Sequence, residues 1–205
     1  MRACGALIIY GAGGHGLVVG DAATAAGWQV CGYVDANPKV KGCGPWPLLD
    51  ANVPGHPDAA AVVAIGDNDH RRLLCQQLAQ QGRVLATVVH PRACVSALAV
   101  LGRGVYVGPG AIINAEAQVG DGVIINSGAI VEHHCRIGPY AHIAPGAALG
   151  GNVRIGTLTL VGLGARVLPV VCIGANCTIG AGAVVIRDVG DHHTLAGVPA
   201  RPMGC

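Results

Sequence analysis

Val131-Glu-His-His-Cys-Arg-Ile137-Gly-Pro-Tyr-Ala-His-Ile143-Ala-Pro-Gly-Ala-Ala-Leu149 carries an aliphatic residue at every sixth position and a slim one four places after each, at Cys135, Ala141 and Ala147. Outward from this stretch the spacing runs without a miss from Val95 to Val185, sixteen aliphatics in all, and Gly follows nine of them directly. A period of six suits neither a 3.6-residue helix nor a hairpin meander. It fits short parallel strands joined by tight turns, with the aliphatic and slim positions both facing inward. Three hexapeptides make one triangular coil, so sixteen units predict a little over five coils of a parallel β-helix, each burying its apolar side against its neighbours. A low-complexity Ala/Gly tract would not hold Val, Ile or Leu in register sixteen times.

The composition agrees with a thin coil. Of 205 residues 52% are hydrophobic, yet only 3% are aromatic and Phe is absent, because inward positions of a coil admit only aliphatic and small side chains. The 13 Lys+Arg against 11 Asp+Glu leave a net charge of +2. With no basic run and few aromatics to stack bases, neither nucleic acid nor a membrane surface is an expected partner. The apolar stretches Ala6–Tyr10 and Ala59–Ile65 are far short of the roughly 18 residues that span a bilayer, and no charged leader precedes a cleavable apolar region. Nine scattered cysteines, never in a CxxC pair, suit reduced thiols and a cytoplasmic setting rather than a disulfide framework or a zinc site.

Residues 1–90 follow another grammar and are expected to form a separate domain, with the β-helix over 91–205. Ala6–Tyr10 reads as a strand ending in Gly11-x-Gly13-x-x-Gly16. A helix is predicted over Leu17–Gly27, and a second strand around Gln29–Val34 ends at Asp35. An irregular connection holds Pro54–Pro57. Ala60–Ile65 is a third strand running into Gly66, His70–Gln81 a helix and Val84–Val89 a fourth strand. The expectation is a Rossmann-like half domain, a small parallel sheet with flanking helices docked on the first coil. The glycine spacing satisfies the dinucleotide fingerprint, but its physical content is general. Glycines let backbone approach a phosphate, and the helix N-terminus supplies N–H groups and partial positive charge. About four strands are too few for both halves of a dinucleotide, so a nucleotide-sugar is the better reading. An NAD module and a mere tight strand-to-helix turn are the alternatives.

His133 and His134 sit where the repeat departs from its usual Gly, with His142 in the next hexapeptide. Histidine is the side chain best matched to taking a proton near neutral pH. The three could in principle converge on a metal, but adjacent residues on a strand point to opposite faces, which argues against it. Surface histidines in a turn are the bland alternative.

At this point the chain resembles the left-handed β-helix acyltransferases. From end to end it is similar to the bacterial nucleotide-aminosugar N-acetyltransferases of the PglD type, with sialic-acid O-acetyltransferases of the NeuD type more distant. The stretches that carry this are Tyr10-Gly-Ala-Gly-Gly-His-Gly16, Ala64-Ile-Gly-Asp-Asn68, Val131-Glu-His-His-Cys135, His142-Ile-Ala-Pro-Gly146, Val167-Leu-Pro169 and Gly197-Val-Pro-Ala-Arg201. The resemblance implies a left-handed coil, a homotrimer with active sites between neighbouring β-helices, acetyl-CoA as co-substrate without a metal, and a product for surface glycans or protein glycosylation. It implies that His133 is the base that takes a proton from the sugar amine, with His134 beside it. Gly13, Gly14, His15, Asp35 and Gly66 would hold the nucleotide-sugar, a 4-amino-4,6-dideoxyhexose on UDP or GDP. His142, Leu163 and Ala181 would line the acetyl-CoA groove. Two departures stand out. His134 occupies the place of a carboxylate that raises the basicity of the catalytic histidine, leaving that work to Glu132 or to a carboxylate from elsewhere. Ala36 replaces a second acidic residue beside Asp35. Cys135, at an inward slim position, belongs to the core and offers no acyl-carrying nucleophile, so direct transfer is expected. An O-acetyltransferase using the same histidine, and a non-catalytic scaffold, remain the other functional readings.

Overall fold

The computed structural model describes residues 5–37, 39–41, 44–50 and 56–203. The expected connection at Pro54–Pro57 lies partly outside them. Strand β1 (Ala6–Tyr10) pairs in parallel with β2 (Gln29–Val34) on one side and β3 (Ala60–Val63) on the other. Helix α1 (Gly14–Ala25) packs Val19, Ala22 and Ala23 on the Leu7 and Ile9 face of this sheet. Helix α2 (Asn68–Gln80) packs Cys75 and Leu78 on the Ile8 and Tyr10 face. The central strand β1 is therefore covered on both sides, as in parallel sheets generally, while β2 is buried only from Gly32 to Val34.

The predicted fourth strand is divided. Leu85 makes a single bridge to Ala61, while Val88–Val89 pairs with Tyr106–Val107 and so opens the β-helix sheet. Thr87 lies between them, its hydroxyl donating to the Gly102 carbonyl at 2.7 Å. The chain is drawn onto the coil before the expected hinge at His90.

Sixteen two-residue strands follow, from Cys94–Val95 to Val184–Val185. The second residue of each is the aliphatic of the repeat, and strands up to Arg166–Val167 pair with the one eighteen residues on, as Ile124 with His142 and His142 with Leu160, while Thr178–Ile179 pairs sixteen residues on with Thr194–Leu195. The coils thus stack in three sheets of eight, six and five strands, the eight including Val88–Val89 and the C-terminal Thr194–Ala196 and Arg201–Pro202; pairing is parallel throughout except that Arg201–Pro202 runs antiparallel to Thr194–Ala196. Their aliphatics merge with the slim positions, Cys135 among them, in one continuous core.

Each sharp corner needs one residue with left-handed backbone, at positions spaced by six from Gly104 to Gly182. Along the edge between the eight- and six-stranded sheets these residues are all glycine: Gly110, Gly128, Gly146, Gly164 and Gly182. Along the edge between the six- and five-stranded sheets they are Glu116, His134, Asn152 and Val170. Left-handed backbone costs a residue with a Cβ roughly 1–2 kcal/mol, so this second edge retains side chains where glycine would fold more easily.

The α/β domain sits on the eight-stranded face, where Tyr106 and Ile124 join the α1 side of its core. Arg71 of α2, only 1% exposed, donates to the carbonyls of Gly122 (2.7 Å) and Tyr140 (2.6 Å) on the coil and of Ile65 (2.9 Å) on its own side. Asn68 Nδ2 adds the Leu158 carbonyl at 2.8 Å. Three successive corners of one edge are thereby pinned to the start of α2. No described helix is long and apolar enough to cross a membrane.

Candidate active site

His133 and His134 occupy a corner, not a strand, and the left-handed backbone of His134 turns its ring back toward its neighbour. The expectation that the two face apart is therefore corrected. Their Nδ1 atoms stand 2.9 Å apart with the rings perpendicular. Eighteen residues earlier on the same edge, Glu116 reaches up so that its Oε2 lies 2.9 Å from His134 Nε2. Glu132 is engaged elsewhere, its carboxylate accepting the main-chain N–H of His133 at 3.4 Å. One coil above, Gly151 leaves room for the His133 ring: a Cβ there would stand 2.6 Å from Cε1 and 2.7 Å from Nε2. Glu116, Gln118, His134, Arg136, Asn152 and Arg154 enclose a polar cavity of about 170 Å³ beside the pair. Among the described residues, no group of three or more His, Cys, Asp or Glu side chains is gathered to hold a metal ion.

The second set of predicted residues lies at the carboxyl ends of the parallel strands, where open α/β sheets bind ligands. Gly16 packs its Cα side against the Gly11 carbonyl with no room for a Cβ, whereas a Cβ on Gly13 or Gly14 would meet nothing within 4 Å. Gly13 caps α1 without a side-chain hydrogen bond, and the first turn holds no acidic residue, which leaves an anion-favouring helix end. Asp35 braces this loop: Oδ2 accepts from the Ala12 N–H and Oδ1 from the Asn37 N–H, both at 2.8 Å. Beside it Tyr10, Gly11, Asp35, Ala36 and Ile65 help to line a cavity of about 380 Å³.

His15 lies edge-on against Tyr106 with centroids 5.4 Å apart. Burial, aided by the Arg71 guanidinium, pushes its proton affinity down to about pKa 4. His142 is also pushed down to about 4, by burial first and then by Arg71 and His15, against the pull of the Gly66 backbone. Asn126 Oδ1 accepts from the Ser127 N–H at 2.8 Å, so its Nδ2 faces His142 Nε2 at 3.1 Å. That nitrogen therefore accepts, and the His142 proton resides on Nδ1.

His142 thus stands with His15 and Gly66 on the eight-stranded face. Leu163 and Ala181 are exposed on the glycine edge that borders this face, with the Gly182 N–H bonded to the Leu163 carbonyl. His133 and His134 lie on the edge opposite that face, so one chain alone does not bring them together with the other predicted residues. Sequence reasoning missed Glu116, Gly151 and Arg71. The first two could have been found by stepping eighteen residues from His134 and His133.

A sequence profile for the PglD N-terminal domain matches residues 6–78. The chain is 42% identical to the PerB protein of Caulobacter crescentus, solved with CoA and GDP-perosamine, over 98% of this chain and 99% of that one, with a TM-score of 0.91. Two further structures of the perosamine N-acetyltransferase, at 41% identity, carry a histidine replaced by asparagine or by alanine. The acetyltransferase domain of PglB from Neisseria gonorrhoeae, solved also with acetyl coenzyme A, is 36% identical over 97% of this chain and 98% of that one, with a TM-score of 0.90. With likeness at this level over nearly the whole of both chains, the protein belongs to the PglD-type family of β-helix sugar N-acetyltransferases.

Proposed function

We propose that this enzyme transfers the acetyl group of acetyl-CoA to the amine of a GDP-linked 4-amino-4,6-dideoxyhexose, with His133 as general base. The observation that carries the reading is the His133 edge, where a turn that glycine would form more easily holds two histidines in contact and a carboxylate behind them. The similarity to a GDP-perosamine-bound enzyme supports the substrate class, and the histidine variants made in that enzyme are in keeping with a histidine base.

In this reading residues 1–90 bind the nucleotide-sugar and residues 91–205 bind acetyl-CoA. Gly13, Gly14 and the α1 N-terminus take the diphosphate, while Asp35 and the cavity beside it take the nucleoside. His15 and Gly66 bound the sugar end, and His142, Leu163 and Ala181 border the acetyl-CoA groove. The amine nitrogen attacks the thioester carbonyl and a C–N bond forms. His133 Nε2 takes the nitrogen's proton, and collapse of the tetrahedral intermediate breaks the C–S bond. The departing thiolate then receives that proton, giving the amide and free coenzyme A.

The opposed placement of His133 and the substrate-side residues supports a homotrimer, in which the His133 edge of one chain faces the groove of the next. The six cysteines among the described residues are all free thiols, which supports a cytoplasmic setting. The test is thiol release from acetyl-CoA with a panel of GDP-, UDP- and dTDP-linked amino sugars, run beside the matching hydroxy sugars. GDP-linked 4-amino sugars should turn over fastest. Turnover of only the hydroxy sugars would replace the reading with O-acetylation.

A further inference from the structure

We propose that Glu116 is a positioning residue that acts through His134, fixing the His133 imidazole with its proton on Nδ1 and its lone pair on Nε2, and stabilising the ring once it is protonated. The inference rests on His133 being the base. A carboxylate only accepts hydrogen bonds, so at 2.9 Å from Glu116 Oε2 the Nε2 of His134 must carry a hydrogen. In neutral imidazole the other nitrogen is then a lone pair. His134 Nδ1 therefore accepts, and its partner at 2.9 Å, His133 Nδ1, must donate. This leaves His133 Nε2, the nitrogen over Gly151, free to take a proton. When it does so, the new positive charge is hydrogen-bonded to an imidazole whose far side rests on an anion. A carboxylate one position from the base is thus replaced by one seventeen residues away, relayed through a neutral ring.

The corner geometry makes this chain of contacts possible. Glu116 and His134 are successive left-handed residues on one edge, and the His134 N–H bonds the Ala115 carbonyl at 3.0 Å, so the two side chains leave stacked corners. Gln118, Arg136, Asn152 and Arg154 face the same cavity. Glu116 is the carboxylate that reaches a ring nitrogen of the pair, while Glu132 meets main chain.

The experiment compares Glu116→Ala, Glu132→Ala, His134→Glu and the double variant Glu116→Ala/His134→Glu in full pH–rate profiles of the intact enzyme. Glu116→Ala should lower kcat about tenfold and displace the acidic limb of the profile, with KM for both substrates within about twofold. Glu132→Ala should leave the limb in place. The double variant should regain at least half the lost rate, because a carboxylate at position 134 reaches His133 directly. Rescue of this kind is not expected of a residue that merely holds the turn. A Glu116→Ala profile identical to wild type, or no rescue in the double variant, would overturn the proposal. Imidazole nitrogen NMR of substrate-free protein separates its failure from that of the functional reading. Wild type should show His133 protonated on Nδ1 and His134 on Nε2, and the opposite tautomers would refute the relay whatever the substrate.

Discussion

Gly151→Ala should cost activity without costing stability. The added methyl would sit 2.6 Å from Cε1 and 2.7 Å from Nε2 of His133, whereas non-bonded carbon contacts are comfortable at about 3.5–4.0 Å. The ring must therefore retreat by about 1 Å, and the methyl then stands over the nitrogen that takes the proton. A misplacement of that size typically costs about 10²-fold, or about 2.7 kcal/mol of transition-state stabilisation. His133 is an exposed side chain that can swing away, and Gly151 is not among the residues with left-handed backbone. The fold should be unharmed or slightly steadier, as Gly→Ala at compatible positions often gains about 0.4–1 kcal/mol. Gly150→Ala is the contrasting variant: its methyl would meet the Pro169 backbone nitrogen at 2.6 Å and should lower the melting temperature. Thiol-release kinetics and thermal melts on both variants decide the matter. Wild-type kcat in Gly151→Ala, or a loss of Tm as large as in Gly150→Ala, would refute the placement of His133 over Gly151.

His133→Ala should lower kcat by about 10²- to 10⁴-fold with nucleotide-sugar affinity within a few-fold; unchanged turnover by thiol release removes it as the base. Gly14→Val should raise KM for the sugar nucleotide and leave KM for acetyl-CoA in place, and titration calorimetry with GDP, UDP and NAD checks the class of ligand, tight NAD binding alone being the contrary result. Arg71→Met removes the donor that meets the Gly122 and Tyr140 carbonyls, and at about 1–3 kcal/mol for a buried group left unpaired it should shift the denaturation midpoint clearly. An unshifted midpoint would show that the two domains hold together without it. Light scattering should give about three times the 20.5 kDa chain mass. His133→Ala chains mixed with Ala181→Trp chains should recover part of the activity, and an active monomer would sink the shared site.

The aliphatic period could be read directly because each inward position is fixed by contact with the coil below and the coil above, and only Val, Ile or Leu fill it. The strands at Ala6–Tyr10 and Gln29–Val34 likewise match their reading, the first because an apolar run bounded by Gly5 and Gly11 leaves little choice. Helix α1 begins at Gly14 rather than Leu17, because the glycine loop winds directly into the first turn. What could not be read was direction at the corners. Treating His133 and His134 as strand residues sends them to opposite faces, whereas one left-handed residue reverses that relation and makes them partners. Arg71 left no sequence signal, since its partners are carbonyls, which every residue type supplies.

The four histidines near the proposed reaction divide by what lies behind them. Behind His15 and His142 is the buried guanidinium of Arg71, which adds its positive charge to their burial and keeps both neutral until about pH 4. A proton handed to either at neutral pH returns to water, so these rings can hydrogen-bond a sugar or a thioester but cannot keep the amine's proton. Behind His133 is His134 and then the Glu116 carboxylate, an anion where the other pair has a cation. Both folded-state values near 4 lie below the ordinary value of 6.5. The unfolded chain therefore binds more protons in that interval, and stability falls as pH drops from about 6.5 toward 4. Activity that falls while the melting temperature stays steady would then report a group other than His15 and His142. Activity and melting temperature declining in step from pH 6.5 downward would instead tie the loss to His15 and His142.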